Sequence, residues 1–124
     1  MKVQYYSVII AGSRDFSDYK KLCEVCDFML SKKKETHTII IISGGARGAD
    51  TLGEKYAEER GFGLQRYLAN WEKDGKSAGY IRNVEMANVA DACICFWDGK
   101  SKGTKHMIDI ATEKGLKLKV VKYE

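Results

Sequence analysis

A glycine-rich turn at residues 43–50 constrains the fold of this chain more than any other feature. An unbroken apolar run, residues 38–42, leads into the turn, and a helix-like run, residues 51–60, follows it. Glycine lets the backbone pass close to a ligand, and the N–H groups and dipole of a helix start favour phosphate. The order strand, turn, helix therefore predicts an anion site, and the first hypothesis is binding of a nucleotide or a nucleotide-derived molecule.

Strand-like and helix-like segments alternate along the chain. Strands are predicted at residues 5–11, 38–42, 63–68, 92–97 and 116–122, helices at residues 17–31, 51–60, 78–89 and 104–114, and a loop at residues 70–76. A nearly all-apolar strand is usually covered on both faces, and strands that alternate with helices are typical of a parallel sheet. The prediction is an α/β fold: a Rossmann-like, doubly wound, mostly parallel five-stranded sheet with helices on both faces.

Length and charge limit the classes to which the chain can belong. Its 124 residues are expected to form a single domain, residues 1–124. The 21 basic and 17 acidic residues are interspersed, and the net charge of +4 is only mildly basic. The run from Lys32 to Lys34 is interpreted as a solvated helix end, because a nucleic-acid interface needs a broader basic stripe. Binding of nucleic acid is therefore not favoured.

The absence of a long apolar run and the pattern of cysteines predict a cytoplasmic protein. The sequence has no run of about 18 apolar residues and no secretory pattern, so no membrane span is predicted. Cys23 and Cys26 share one face of a predicted helix, and Cys93 and Cys95 share one side of a predicted strand. They are interpreted as reduced thiols that pack like small apolar side chains, and no metal site or cofactor is expected.

The turn after the first predicted strand also carries residues suited to an anion. Gly12 permits a tight turn, Ser13 can donate to an oxyanion, and Arg14 can clamp phosphate with two hydrogen bonds. The alternative is a helix-capping turn, with Asp15 or Ser17 as the cap.

The turn after the fourth predicted strand is basic. Lys100 and Lys102 add positive charge where an anion would lie, and Thr104 is the expected helix cap. Trp97 and Trp71 are candidates to stack on a base, or alternatively pack in the core or at its rim. Because ligands of open α/β sheets bind outside the carboxyl ends of the strands, the three turns are expected to share one site.

These motifs together resemble the SLOG superfamily, the Rossmann-like group that includes Smf/DprA and the lonely guy phosphoribohydrolases. The resemblance covers nearly the whole chain and is strongest to the small stand-alone branch of bacterial and phage proteins. Gly12, Ser13 and Arg14 resemble the first-loop motif of that branch, and residues 43–50 are similar to the second-loop phosphate motif.

The second half of the chain resembles the lonely guy enzymes in part. Arg82, Asn83 and Met86 resemble the helix that carries Arg-Lys and then Met in those enzymes, although by spacing alone Arg82 and Asn83 are a solvent-exposed pair. Residues 103 and 104 match the Gly-Thr of the signature Pro-Gly-Gly-x-Gly-Thr-x-x-Glu. Met107 stands where the enzymes have the acid, so half of the N-glycosidase machinery is missing.

The favoured interpretation assigns roles to the candidate residues, and the resemblance implies a homo-oligomeric assembly. Basic side chains neutralise the phosphate, Trp71 or Trp97 contacts the base, and Asp50 or Asn83 binds the ribose; Asp50 alternatively complements its helix start. The candidate ligand-binding residues are Gly12, Ser13, Arg14, Ser43, Gly44, Gly45, Arg47, Gly48, Asp50, Trp71, Arg82, Asn83, Trp97, Asp98, Lys102, Gly103 and Thr104.

Three functional hypotheses follow. The first is a nucleotide-binding protein that acts as a sensor or sequesters its ligand. The second is a nucleotide N-glycosidase, in which Arg82 polarises the leaving group and Asp98 or Asp109 replaces the missing acid. The third, disfavoured by the mild charge, is binding of single-stranded DNA, as in Smf/DprA.

Overall fold

The computed structural model describes residues 3–123, so Met1, Lys2 and Glu124 of the expected domain lie outside the described residues. The strands are β1 (Tyr5–Gly12), β2 (Thr38–Ser43), β3 (Gly63–Arg66), β4 (Ala92–Trp97) and β5 (Lys117–Lys122). The helices are α1 (Tyr19–Leu30), α2 (Lys33–Thr36), α3 (Ala49–Arg60), α4 (Trp71–Asp74), α5 (Ala78–Val89) and α6 (Lys102–Glu113). The strands form one sheet in the order β3-β2-β1-β4-β5, and each neighbouring pair is parallel. The predicted Rossmann-like α/β fold is confirmed, with a sheet that is parallel throughout.

The central strand β1 supplies both hydrophobic cores. Val8 and Ile10 point to one face, where they join Tyr56 of α3 and residues of α1. Ile9 points to the other face and packs with Met86 of α5 and residues of α6. Successive side chains of a strand point to opposite faces, so an unbroken apolar run requires helices on both sides.

The order of the strands reverses beside β1. From β1 the chain moves outward through β2 and β3, and it then returns to place β4 on the other side of β1. The loops that leave β1 and β4 therefore diverge, which creates a crevice at the carboxyl edge of the sheet. Gly12 ends β1 at this point, and the N–H of Ser13 donates to the carbonyl of Phe96 in β4 at 2.9 Å.

Helix starts differ from the sequence prediction because of the caps that the chain uses. Helix α6 begins at Lys102 because the Ser101 hydroxyl, and not that of Thr104, accepts the capping bond, from Thr104 N at 3.3 Å. Helix α1 is capped by Asp18 and not by Asp15 or Ser17. Each cap accepts from the third residue of its helix, the usual geometry.

The prediction of a loop at residues 70–76 is wrong. This segment forms α4 and a 3₁₀ turn, Gly75–Ser77. Asn70 caps α4 by accepting from Lys73 N at 3.1 Å, which makes a short helical turn possible. The segment matters because it brings Trp71 and Lys76 to the crevice.

We expect Gly12→Ala to lower the free energy of unfolding by roughly 2 kcal/mol or more, because its methyl group would overlap the carbonyl of Phe96 and the side chain of Ala49. Urea unfolding measures the effect. Gly79→Ala is the matched control, since its methyl group meets Trp71 at an ordinary 3.6 Å and alanine favours the helix. Equal stability of wild type and Gly12→Ala would contradict the close approach of the two strands.

Candidate functional site

A cavity of about 210 Å³ occupies the crevice at the carboxyl ends of β1 and β4. Helices α3, α5 and α6 and the segment around α4 contribute its walls. The predicted site residues that line it are Gly12, Arg14, Asp50, Trp71, Arg82, Asn83, Gly103 and Thr104. Residues from all three predicted turns, or directly beside them, therefore reach the crevice or its walls.

Asp50 places a carboxyl group inside the cavity wall. It is the second residue of α3, its side chain is buried, and its Oδ2 accepts from the backbone N–H of Ala46 at 3.2 Å. Burial raises the pKa of Asp50 to about 6, although the Ala46 hydrogen bond and the charges of Arg82 and Arg14 favour the ionised form. The group is thus largely ionised at neutral pH and gains a proton in mildly acidic solution.

Arg82 joins the second loop to α5. Its Nη1 donates to the carbonyl of Gly44, and its Nε donates to Asn83 Oδ1 at 3.1 Å. Burial lowers the pKa of Arg82, but a guanidinium remains charged at any physiological pH. The alternative of a solvent-exposed pair is wrong, since Asn83 is buried and Arg82 is half-buried. Asn83 continues the network to α6 by donating to Gly103 O at 3.3 Å.

The start of α6 offers backbone donors to the cavity. The N–H groups of the first helical turn have no acceptor within the helix. The Ser101 hydroxyl accepts one of them, from Thr104. Among residues 3–123, the N–H groups of Lys102 and Gly103 have no hydrogen-bond acceptor. Open space lies beside Gly103, so this end of the helix can approach a ligand closely.

Several predicted residues build the second loop without lining the cavity. Ser43 is buried; its hydroxyl donates to Glu54 Oε2 at 2.7 Å and accepts from Gly45 N at 3.1 Å. Gly45 and Gly48 have φ angles of 74° and 76°, which glycine adopts without strain. Gly44 also lies behind the wall, where a side chain would collide with Arg82. Arg47 lies outside, along a shallow groove on the far side of Arg14.

The remaining predicted residues belong to the fourth-strand turn or support it. Ser13 is buried and its hydroxyl accepts from Asp98 N at 3.2 Å. Asp98 Oδ1 accepts from the N–H groups of Ser101 and Lys100, both at 2.8 Å, and these bonds lower the pKa of Asp98. Its carboxylate therefore holds its own turn together. Trp97 and Lys102 line a neighbouring groove.

The position of the missing acid is apolar. Met107 is buried and lines the cavity. Of the two acids suggested as substitutes, Asp98 is tied to its turn, and Asp109 is exposed and pairs with Lys105 at 2.6 Å. Neither lines the cavity, whereas Asp50 does.

Sequence reasoning missed other lining residues, notably Lys76, Gly79, Tyr80 and Ser101. Helical spacing could have found Gly79, because it lies three residues before Arg82 and four before Asn83 on one face of α5. Lys76 gave no such signal, since it lies on the unpredicted 3₁₀ turn.

Residues 3–123 present neither a cluster of potential metal ligands nor a helix that could span a membrane. Within residues 3–123, no group of three or more His, Cys, Asp or Glu side chains is placed to hold a metal ion. None of the helices in this part of the chain has both the length and the apolar character needed to cross a membrane.

Comparison with known proteins decides the family. Residues 6–73 match the YspA, cpYpsA-related SLOG family, and this stretch spans more than half of the chain. The gene 61 protein of Mycobacterium phage D29 is 34% identical over 115 residues, which cover 88% of this chain and 90% of that protein. The chain belongs to the YspA, cpYpsA-related SLOG family. The predicted resemblance to the SLOG superfamily is confirmed.

Solved structures share the fold of this SLOG protein. DNA processing protein A from Streptococcus pneumoniae superposes with a TM-score of 0.72 at 16% identity and covers 98% of this chain. The chain spans only 51% of that protein's length. The protein TM1055 superposes with a TM-score of 0.64 at 19% identity, over 94% of this chain and 72% of its own.

The SLOG match covers only one side of the cavity. Residues 6–73 include the loops after β1 and β2 and most of α4. Helices α5 and α6, which supply Arg82, Asn83 and Gly103, lie beyond the matched stretch. The family match therefore includes the glycine-rich loop at residues 43–50 and does not extend to the opposite wall of the cavity.

We expect Asp50→Asn to remove a pH dependence of stability. The folded-state pKa of about 6 lies above the ordinary 3.8, so wild type loses stability as pH rises from about 4 to about 6, where only the unfolded chain releases the proton. The free energy of unfolding of Asp50→Asn, relative to wild type, should rise by roughly 2–3 kcal/mol over this interval and then level off.

Urea unfolding at pH 4, 5, 6 and 7 measures this difference, and comparing the two proteins cancels the titration of every other group. A difference that stays constant with pH would contradict a raised pKa at Asp50.

Proposed function

We propose that this protein binds a nucleotide or a nucleotide-derived molecule in the cavity, as a sensor or to sequester its ligand. The observation that carries the proposal is the meeting of two anion-binding features in one cavity: the half-buried Arg82 guanidinium and the acceptor-free N–H group of Gly103. Both favour a phosphate group. Membership of the SLOG family agrees with nucleotide-related binding.

The charges of the cavity argue for one orientation of the ligand. Asp50 is ionised at neutral pH, so a phosphate beside it would be repelled. Its carboxylate is instead suited to accept hydrogen bonds from the hydroxyl groups of a ribose. We assign the phosphate to the side of Gly103 and Arg82, and the sugar to the side of Asp50.

The size of the cavity favours a position of the base at its rim. About 210 Å³ is less than the roughly 300–1,000 Å³ of pockets that enclose a drug-sized ligand. Trp71 and Tyr80 line the mouth with 54% and 44% of their surface exposed. Exposed aromatic rings stack on bases with little sequence preference, so we assign the base to these side chains.

Arg82→Ala should weaken binding of nucleoside monophosphates by roughly tenfold to a hundredfold, because a charge-assisted hydrogen bond to phosphate is lost. Calorimetry with AMP, GMP, CMP and UMP measures the affinities, and urea unfolding establishes that the variant folds. Arg47→Ala is the matched control, since it removes the same charge from a loop residue outside the cavity.

Equal losses of affinity in Arg82→Ala and Arg47→Ala would mean that the overall charge of the protein causes the effect, and this result would contradict the proposed site. Gly45→Val tests the glycine-rich loop at residues 43–50 independently. The valine side chain would collide with Leu68, and the valine backbone would have to adopt a φ of 74°, so binding should fall.

Hydrolysis of the N-glycosidic bond is a second candidate, and one observation favours it. Asp50, whose pKa is raised to about 6, shares the cavity with Arg82, so a proton donor and a cation face the same space. Such a carboxyl group is suited to general acid–base catalysis near neutral pH. In this version Asp50, and not Asp98 or Asp109, protonates the departing base.

Incubation with the same four monophosphates, followed by chromatography for free base, tests this candidate. If the protein is an enzyme, Asp50→Asn should lose turnover even when the ligand is saturating, whereas Asp98→Asn should keep its turnover. Absence of free base from a protein that binds its ligand would leave binding alone as the function.

A further inference from the structure

A second concave surface lies beside the cavity, across the start of α6. It encloses about 350 Å³, and we call it the outer groove; its walls include Trp97, Lys100, Lys102, Lys105, His106 and Asp109. Tyr80 lines both the cavity and the outer groove. The two concavities are therefore neighbours at one edge of the sheet.

A single layer of side chains separates the two spaces. The ring of Tyr80 packs edge-on against His106 with 4.6 Å between centroids. His106 Nδ1 in turn lies 3.2 Å from Asn83 Nδ2, and Asn83 lines the cavity. Tyr80, His106 and Asn83 thus form the shared wall between the cavity and the outer groove.

The outer groove carries positive charge that the protein does not neutralise. Lys105 pairs with Asp109 at 2.6 Å. Lys100 and Lys102 form no ion pair with any residue in the described part of the chain, residues 3–123. Asp98, the nearest other acid along the chain, directs its Oδ1 to the backbone of its own turn. Two lysine side chains thus remain available to an anion.

The start of α6 links these charges to the cavity. Gly103 lines the cavity, and the side chain of the preceding residue, Lys102, lines the outer groove. A phosphate bound at the acceptor-free N–H groups of these two residues would face the cavity on one side and the lysines on the other. Only a ligand with a further anionic group on the outer side would use both.

We propose that the ligand is a nucleotide whose phosphate chain continues beyond the first phosphate, as in a nucleoside diphosphate or an ester of one. The first phosphate binds at the start of α6, and the second occupies the outer groove between Lys100 and Lys102. This inference rests on the proposed function, because the nucleoside and the first phosphate must occupy the cavity.

Calorimetry with matched pairs of ligands tests the proposal: AMP with ADP, GMP with GDP, CMP with CDP, and UMP with UDP. Wild type should bind the diphosphate of its preferred base roughly tenfold to a hundredfold more tightly than the monophosphate. The double variant Lys100→Gln/Lys102→Gln should bring this ratio close to one. The double variant Lys114→Gln/Lys117→Gln, which removes the same charge at the opposite edge of the sheet, should retain the preference.

The outcomes separate the two proposals. If wild type binds a monophosphate and its diphosphate equally well, the outer groove takes no phosphate, and the proposed function stands. A diphosphate preference that survives in Lys100→Gln/Lys102→Gln would overturn the assignment to these lysines. If wild type binds neither member of any pair, the proposed function falls together with this inference.

Discussion

The contact between β1 and β4 at Gly12 is the constraint on which the site depends. These two strands lie side by side although β2 and β3 intervene in the sequence. Their backbones approach so closely at Gly12 that no side chain fits between Phe96 and Ala49. Because the loops beyond this point run to opposite sides of the sheet, the space between them is left for a ligand. Without the close approach, the second loop and α6 would not face the same cavity.

The fold could be predicted because its signals are repeated and cooperative. The alternation of apolar side chains along β1 serves both cores, and the helices needed to cover them follow at regular intervals. Helix ends were less predictable, because Ser101 and Thr104 are both good caps and only the turn geometry selects one of them. The short helix α4, which begins at Trp71, depends on a single cap, Asn70. Its sequence shows no periodic spacing of apolar residues from which a helix could be predicted.

The convergence of the loops was predictable, whereas the direction of each side chain was not. A polar residue in a tight turn can face a ligand or satisfy the turn itself, and the sequence is the same in both cases. Ser43 and Asp98 hold their own loops, as their hydrogen bonds show. Asn83 is the opposite case: by spacing it belonged to a solvent-exposed pair, but it is buried, and its side chain connects α5 to α6.

Under the proposed function, Asp50 makes the cavity selective, and burying its carboxylate has an energetic cost. Burial disfavours the ionised carboxylate and raises its pKa, although the charges of Arg82 and Arg14 partly offset this effect. A site for free phosphate alone would gain from a neutral residue here, because the carboxylate repels anions. In the proposed orientation the charge is retained because the ligand presents hydroxyl groups to Asp50 and its phosphate to the start of α6. In the two proposals taken together, the same carboxylate favours a phosphate chain that extends away from it, over the start of α6 and toward the lysines of the outer groove.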